Sequence, residues 1–427
     1  MFGAYLVKNA SEWRSHMFDI IIVGGGAAGM MAAITAARNG ASVCILERKE
    51  RLGKKILATG NGKCNYTNQL QHISCYRGSE ETFIKAVLTQ FPMEETVAFF
   101  KEIGIYPKER NGYFYPHSEQ AASVADALEA ECKMLGVQIY LEQYVTAIKQ
   151  EKRIFCVSAK NKEQELKQYK AYKLILAAGG MAAKVHGSDG SGYTLAKQLG
   201  HSLVKPLPAI VQLKAQGSFF KTLAGVRTEG HISLWIDEKK VTEEFGELMF
   251  TAYGLSGIPV MQVSRFAAEG LANKKTVIAK LDLFPELQKQ ALYDEILRRF
   301  ERAKGKHTYE QALVGLLNHK LNYILLKEAG FEPTQTPSGK LKEATERFVK
   351  QVKQFTVPIS DTNGFDNAQA CAGGVSTKEL TSQMESKLVP GLYIVGELAD
   401  VDGTCGGYNL QWAWSSGYVA GYHAAQK

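Results

Sequence analysis

The seven cysteines of this 427-residue chain never stand as C-x-x-C. Cys44, Cys64, Cys75, Cys132, Cys156, Cys371 and Cys405 are scattered and odd in number. That argues against a disulfide framework or a metal site and for reduced thiols in the cytoplasm. Long apolar runs are missing as well. The run at residues 20–23 suits a buried strand and is far too short to cross a bilayer, and no secretory leader is legible, so no membrane partner is expected. The chain has no G-x-x-x-x-G-K-[ST], no H-E-x-x-H and no Ser-His-Asp order, which leaves P-loop, zinc-protease and triad-hydrolase chemistry unsupported. His72, His117, His186, His201, His231, His307, His319 and His423 are dispersed, and each reads more readily as structural than catalytic. Neither sign of charge dominates: 51 Lys and Arg against 43 Asp and Glu give a mild +8. The lysine-rich stretch 149–173 alternates Lys, Glu and Gln and reads as a solvated hairpin surface, so a nucleic-acid partner is not favoured.

What is present is an ordinary globular composition, 45% hydrophobic and 22% charged, in a chain long enough for two or three domains. Residues 1–16 carry no periodic pattern and read as an extension or an extra strand. Residues 18–23 form a strand, a small-residue helix runs to Asn39 with Gly40 as its stop, and residues 42–46 form a second strand. This is a βαβ beginning, which calls for a parallel sheet covered on both faces. Helices are expected around 80–103 and 121–135, strands at 138–146, 153–158 and 173–178, and a helix at 193–199. From about 206 short alternating strands (210–213, 231–236, 248–251) suit a β-rich insert. Residues 285–353 are charged and helical, and strands return at 355–359 and 392–395. The last helix closes at 417–425.

Three segments carry chemistry. Gly24-Gly25-Gly26-Ala27-Ala28-Gly29 follows the first strand and opens the first helix, with Glu47 and Arg48 at the end of the next strand. The first glycine of such a turn permits the bend, the second lets a pyrophosphate reach the backbone, and the third lets helix and strand lie close. Glu47 can accept both ribose hydroxyls of an adenosine and would repel a 2′-phosphate. The second segment, Lys54-Lys55-Ile56-Leu57-Ala58-Thr59-Gly60-Asn61-Gly62-Lys63-Cys64-Asn65, offers glycines that free backbone amides and donors for carbonyl or phosphate oxygens. Cys64 has no partner cysteine near it and reads as packing. The third segment runs from Gly396-Glu397 through Asp402 to Gly406-Gly407-Tyr408-Asn409-Leu410-Gln411, a glycine-rich entry to a helix whose N-terminus suits negative charge, such as the reduced edge of a flavin. Val145, Ala178, Gly179 and Gly180 sit at strand ends that would face the same ligand. A further cluster, Gly187-Ser188-Asp189-Gly190-Ser191-Gly192, lacks a preceding strand and reads as a loop-to-helix turn, so a second nicotinamide domain is missing.

Taken together these segments resemble the bacterial BaiN/RdsA-like NAD(P)/FAD-dependent oxidoreductases, from about residue 18 to the C-terminus. The likeness rests on Gly24 to Gly29 with Glu47, on Leu52-Gly53-Lys54-Lys55 through Asn61-Gly62-Lys63-Cys64-Asn65-Tyr66-Thr67-Asn68, on Gly254-Leu255-Ser256-Gly257-Ile258-Pro259, on Ala372-Gly373-Gly374-Val375, and on Val401-Asp402-Gly403 with Gly406 to Gln411. It implies an α/β fold: a discontinuous Rossmann-type FAD domain (18–205 and 360–427), a β-barrel-like insert (206–284) and a small helical insert with a return strand (285–359), after an extension at 1–17. It also implies that the 60–65 loop and the 406–411 turn grip FAD from opposite sides. Two departures stand out. Many members carry Gly-Gly-Gly-Arg where this chain has Gly60-Asn61-Gly62-Lys63, and a lysine cannot make the forked contact of an arginine. Many also carry a histidine just before the Gly-Leu-Ser-Gly segment, where this chain has Thr251-Ala252-Tyr253.

The resemblance implies an FAD-dependent reductase that takes electrons from a transient NAD(P)H and passes hydride from flavin N5 to an activated C=C, such as a steroid or bile-acid enone. Tyr113, Tyr253 and Tyr408 are the candidate proton donors. The alternatives are a flavin amine oxidase of aminoacetone type that releases peroxide, and a flavin-containing RNA-modifying or regulatory protein. A small-molecule substrate is expected, and the oligomeric state is not assigned.

Overall fold

The structure, a computed structural model, describes residues 17–426; the reading of residues 1–16 lies outside the described residues. The chain divides into two compact units: residues up to Pro206 together with those from Ala370 onward, and Leu207–Gln369.

The first unit is built on a seven-stranded sheet. Strand Met17–Val23 is apolar and β-branched along its buried half, and it lies parallel between Val43–Leu46 and the long strand Leu166–Leu176. Strands buried on both faces become continuous apolar runs, as Ile20-Ile21-Ile22 shows. Gln138–Tyr140 extends the parallel side, and Leu392–Ile394 pairs with the far half of Leu166–Leu176. The lysine-rich region forms an antiparallel meander, Tyr144–Glu151, Ile154–Lys160 and the near half of Leu166–Leu176, so the hairpin expectation holds. The single strand expected at 138–146 is in fact broken. Glu142 takes φ +54, and the amides of Glu142 and Gln143 turn back to the Lys49 and Glu47 carbonyls. Strand Tyr113–Pro116 pairs with Pro107–Arg110 and with Thr67–Asn68.

The second unit is a closed barrel of six strands, in the order Leu213–Ala215, Gly254–Ser256, Lys239–Thr251, Arg227–Ile236, Val277–Asp282 and Phe355–Thr362. Closing the sheet on itself removes both edges. The strand expected at 210–213 is displaced because Ile210 takes φ +52, and the chain is extended on either side of it. A helix not foreseen in the β-rich stretch, Ile258–Ala272, starts with Pro259 in its first turn and buries Val260, Val263 and Ala267. Helices Lys289–Ala303, His319–Glu328 and Leu341–Lys353 fill the expected helical stretch. Lys353 ties them to the barrel, pairing with Asp282 at 2.6 Å while its Nζ donates to the Phe284 and Leu287 carbonyls. Among the described residues no helix is long and apolar enough to cross a membrane, and no cluster of three or more His, Cys, Asp or Glu is placed to hold a metal ion.

Candidate functional site

Strand Met17–Val23 ends in a turn whose glycines answer to different constraints. Gly24 has φ +105, and a Cβ there would stand 2.5 Å from the Ala177 carbonyl oxygen. A Cβ on Gly29 would lie 2.0 Å from the Gly24 carbonyl oxygen, so glycine is what lets helix Ala27–Arg38 fold back against its own strand. Gly26, the N-cap residue, faces open space: a Cβ there would meet nothing within 4 Å. No side chain caps this helix and its first turn holds no acid. Free N–H groups and the positive end of the helix dipole therefore face that space. Glu47 stands at its edge, accepting the Gly25 and Lys49 N–H groups, each at 2.7 Å. Burial pushes its carboxyl pKa up, and the amide donors pull the other way by favouring the charged form. A carboxylate has about four acceptor directions, so ribose hydroxyls can share what the two amides leave.

Helix Tyr408–Ala425 supplies a second uncapped N-terminus, entered through Gly407 at φ +96 and again without acid in its first turn. Its register against the Ala27 helix is set by glycine. Cβ atoms on Gly417 and Gly421 would each fall 2.4 Å from a carbonyl oxygen, of Ala28 and Ala32 respectively. The two helices thus run parallel with their backbones in contact. At 1.5 Å per residue the Tyr408 helix begins roughly 12 Å ahead of the other, eight residues before the level of Ala27. Two anion-seeking helix termini are thus presented in the same direction, one ahead of the other. Asn65 adds a polar group aimed at the second terminus: its Oδ1 is buried without a partner, 3.0 Å from where a Gly407 Cβ would be.

The Tyr408 helix also gathers the second motif. Trp414 donates its indole N–H to the Tyr66 carbonyl at 2.9 Å, the Thr67 hydroxyl donates to Gln411 Oε1 at 2.6 Å, and Asn68 Nδ2 donates to the Gly406 carbonyl at 3.0 Å. The 60–65 loop and the 406–411 turn are in this way brought side by side from opposite ends of the chain. Thr59, Gly60, Asn61, Gly62 and Lys63 form an open turn, with left-handed backbone at Gly60, Asn61 and Gly62. Cys64 is fully buried and burial pushes its thiol up to about 12, which agrees with a packing role.

Several expected contacts prove to be braces. The Gln411 amide is engaged internally, donating to Phe91 O, Thr96 Oγ1 and Ser415 Oγ, so its side chain fixes the turn and is not open to a ligand. Asn409 clasps Gly403, accepting its N–H and donating to its carbonyl, both at 2.9 Å. Asp402 is buried in strand Val401–Gly403, Leu410 is half-buried against the core, and Val145 is buried in its strand. Lys54 pairs with Glu50 on the surface, whereas Lys55 reaches Glu397 at 2.6 Å, whose other oxygen accepts the Cys371 N–H. Gly396 lies against Ala28, its N–H held by Ser416 and its carbonyl by Trp412. Past Ala178, a Cβ on Gly179 or Gly180 would strike Ser188, or Tyr193 and Cys371, so both glycines admit protein neighbours. Gln411, Trp412, Trp414 and Ser416 make the Tyr408 helix a clamp on the turns beside it, where the sequence shows only a glycine-rich entry to a helix.

Two of the three tyrosines meet. Tyr113, 38% exposed, and Tyr408 both border Gly406 and share a cavity of about 430 Å³ with Asn68, Gln69, Leu70, Asn111 and Gly112. Burial, then a hydrogen bond with Cys75, pushes the Tyr408 phenol well above its ordinary range. Tyr253 belongs to the barrel unit, where its hydroxyl accepts from Asn363 Nδ2 at 3.3 Å.

Such a turn, sheet and pair of helix termini define a Rossmann-type dinucleotide-binding oxidoreductase of the FAD-dependent class. The family model described as the HI0933-like protein Rossmann domain matches residues 18–423, and the chain belongs to that family. It is 45% identical over 418 residues to a 3-dehydro-bile acid delta(4,6)-reductase of Clostridium scindens, covering 96% of this chain and 100% of the relative. Ribosomal RNA dihydrouridine synthases are similar over nearly their whole length too. That of Haemophilus influenzae is 29% identical over 413 residues (95% of this chain, 98% of the relative). That of Escherichia coli is 28% identical over 410 residues (94% and 96%).

Proposed function

We propose that the chain is a reductase that adds hydrogen across an activated C=C, with a bile-acid or steroid-type enone as its substrate class and NAD(P)H as its electron source. The observation that carries this reading is the full-length kinship to a bile-acid reductase, 45% over 418 residues. Dihydrouridine, the product named for the more distant relatives, is uridine with its ring C=C saturated, so both kinships point to the same bond change.

FAD, when bound, supplies the two-electron redox chemistry. Gly26 and the Ala27 helix N-terminus fit its pyrophosphate, and Glu47 fits the adenosine ribose. Asn65, Gly406 and Gly407 fit the other end, where the positive terminus of the Tyr408 helix favours negative charge. Of the two tyrosines that line the cavity, Tyr113 is the better-placed proton donor because it is the exposed one, whereas burial holds the Tyr408 proton tightly. Tyr113→Phe should slow enone reduction about a hundredfold and leave flavin reduction by NAD(P)H unchanged.

Anaerobic spectrophotometry tests the whole reading. NADH or NADPH should bleach the bound flavin, and a steroid enone should restore its colour. Peroxide formed from amines with no NAD(P)H consumption would replace it by the oxidase reading. The two synthase relatives favour one second reading, reduction of a uridine in ribosomal RNA. Dihydrouridine formed in ribosomal RNA, with no turnover of enones, would put that reading first.

A further inference from the structure

The second glycine cluster, 187–192, takes no part in the reading above, yet it is fastened to the segment that follows Glu47. Asp189 pairs through Oδ2 with Arg48, the residue after Glu47. Its other oxygen accepts the Ser191 hydroxyl at 2.6 Å and the Ser191 N–H at 3.1 Å, at the start of helix Ser191–Gln198. The Gly187 carbonyl accepts from Arg48 as well, at 3.5 Å, and a Gly187 Cβ would touch the Lys49 stem at 3.4 Å. The guanidinium carbon also lies over the Tyr144 ring, 5.1 Å from its centre. The Arg48 guanidinium is therefore held by protein through the Tyr144 ring and through one nitrogen, while its side chain keeps 30% of its surface exposed. Burial opposes the charge of Asp189, but the Ser191 donors and Arg48 outweigh it and hold the carboxyl below its usual range.

A guanidinium is planar and stacks well on flat π systems. We propose that Arg48 is the shelf for the adenine ring, and that the 187–190 segment is a latch that keeps it flat through Asp189. The inference rests on the FAD reading and deepens it: Glu47 takes the ribose, and the next residue takes the base. Asp189 is a positioning residue here, acting through Arg48. A latch of this kind selects ligands that carry adenosine, so it separates FAD from FMN.

The test is flavin release from the holoenzyme, followed by the rise in flavin fluorescence on dilution, for wild type, Asp189→Asn, Arg48→Ala and the double variant. FMN binding to the stripped proteins is measured in parallel. Loss of a stacked base predicts FAD release about ten to a hundred times faster in Arg48→Ala. Asp189→Asn should give a smaller increase in the same direction, and the double variant should match Arg48→Ala, because Asp189 acts only through that arginine. Affinity for FMN should not move in any variant, which a general loosening of the turn would not achieve. Arg48→Lys should not restore retention. Wild-type FAD release in both single variants, additive effects, or an equal loss of FMN would overturn the latch while leaving FAD binding intact. A wild-type protein that takes up neither flavin would overturn the cofactor reading, and the latch with it.

Discussion

Gly26 and Gly29 stand three residues apart in one turn and answer to opposite demands. Beside Gly29 there is no room for a methyl group, with backbone oxygen 2.0 Å from its place; beside Gly26 there is nothing within 4 Å. Gly29→Ala should therefore lower the melting temperature by many degrees, whether or not flavin is present. Gly26→Ala should melt like wild type when stripped of flavin, yet bind FAD at least about tenfold more weakly, since its backbone is extended and only a ligand would meet the new methyl. Equal melting of the two stripped variants would refute this division. Buried thiols give a second residue-scale prediction. Burial pushes Cys64, Cys132 and Cys371 each up to about 12. Those folded values lie above the value near 8.5 of an unfolded thiol, so their contribution is intact below that pH and is lost as the pH rises toward 12. The melting temperature should fall progressively between pH 9 and 11; a flat profile would show that these thiols are not held neutral.

The element that organises the site is helix Tyr408–Ala425, and its decisive residues lie on the side away from any ligand. Gly417 and Gly421 press against the Ala28 and Ala32 carbonyls, and this contact sets the offset between the two helix termini. Alanine at both positions should push the helices apart, lowering stability by several kcal/mol. It should also weaken FAD binding without touching a residue that faces it, as calorimetry and flavin titration would show. Unchanged flavin affinity would mean that the offset is set elsewhere. Hairpin Pro107–Pro116 marks how far local signals reach. Asn111 and Gly112 both take positive φ, at +54 and +84, and Asn-Gly is a strong two-residue turn signal. That signal stands in the sequence at residues 111 and 112. The Ile258–Ala272 helix was likewise marked, by Pro259 and apolar residues spaced by three and four, but is surrounded by strands.

At the scale of the molecule, Leu207–Gln369 has a closed barrel and its own apolar core, from Leu213 through Phe250 and Phe300 to Val357. Expressed alone, residues 207–369 should fold and melt cooperatively by circular dichroism; a broad, non-cooperative transition would show that the barrel depends on the rest of the chain. The sequence by itself determined the glycine turn, the acidic residue after the second strand and the βαβ beginning, because these are set by neighbours within about thirty residues. It also determined the likeness to a flavoprotein family. What only the tertiary structure decided is which polar residues are open to a ligand and which are braces. Gln411 reads as a ligand contact until Thr67 and Thr96 are found beside it, and Asp189 reads as part of an ordinary turn until Arg48 is found against it. These partners lie from 141 to 344 positions apart in the chain. No local periodicity spans such intervals, since only packing between distant elements brings the groups within hydrogen-bond reach.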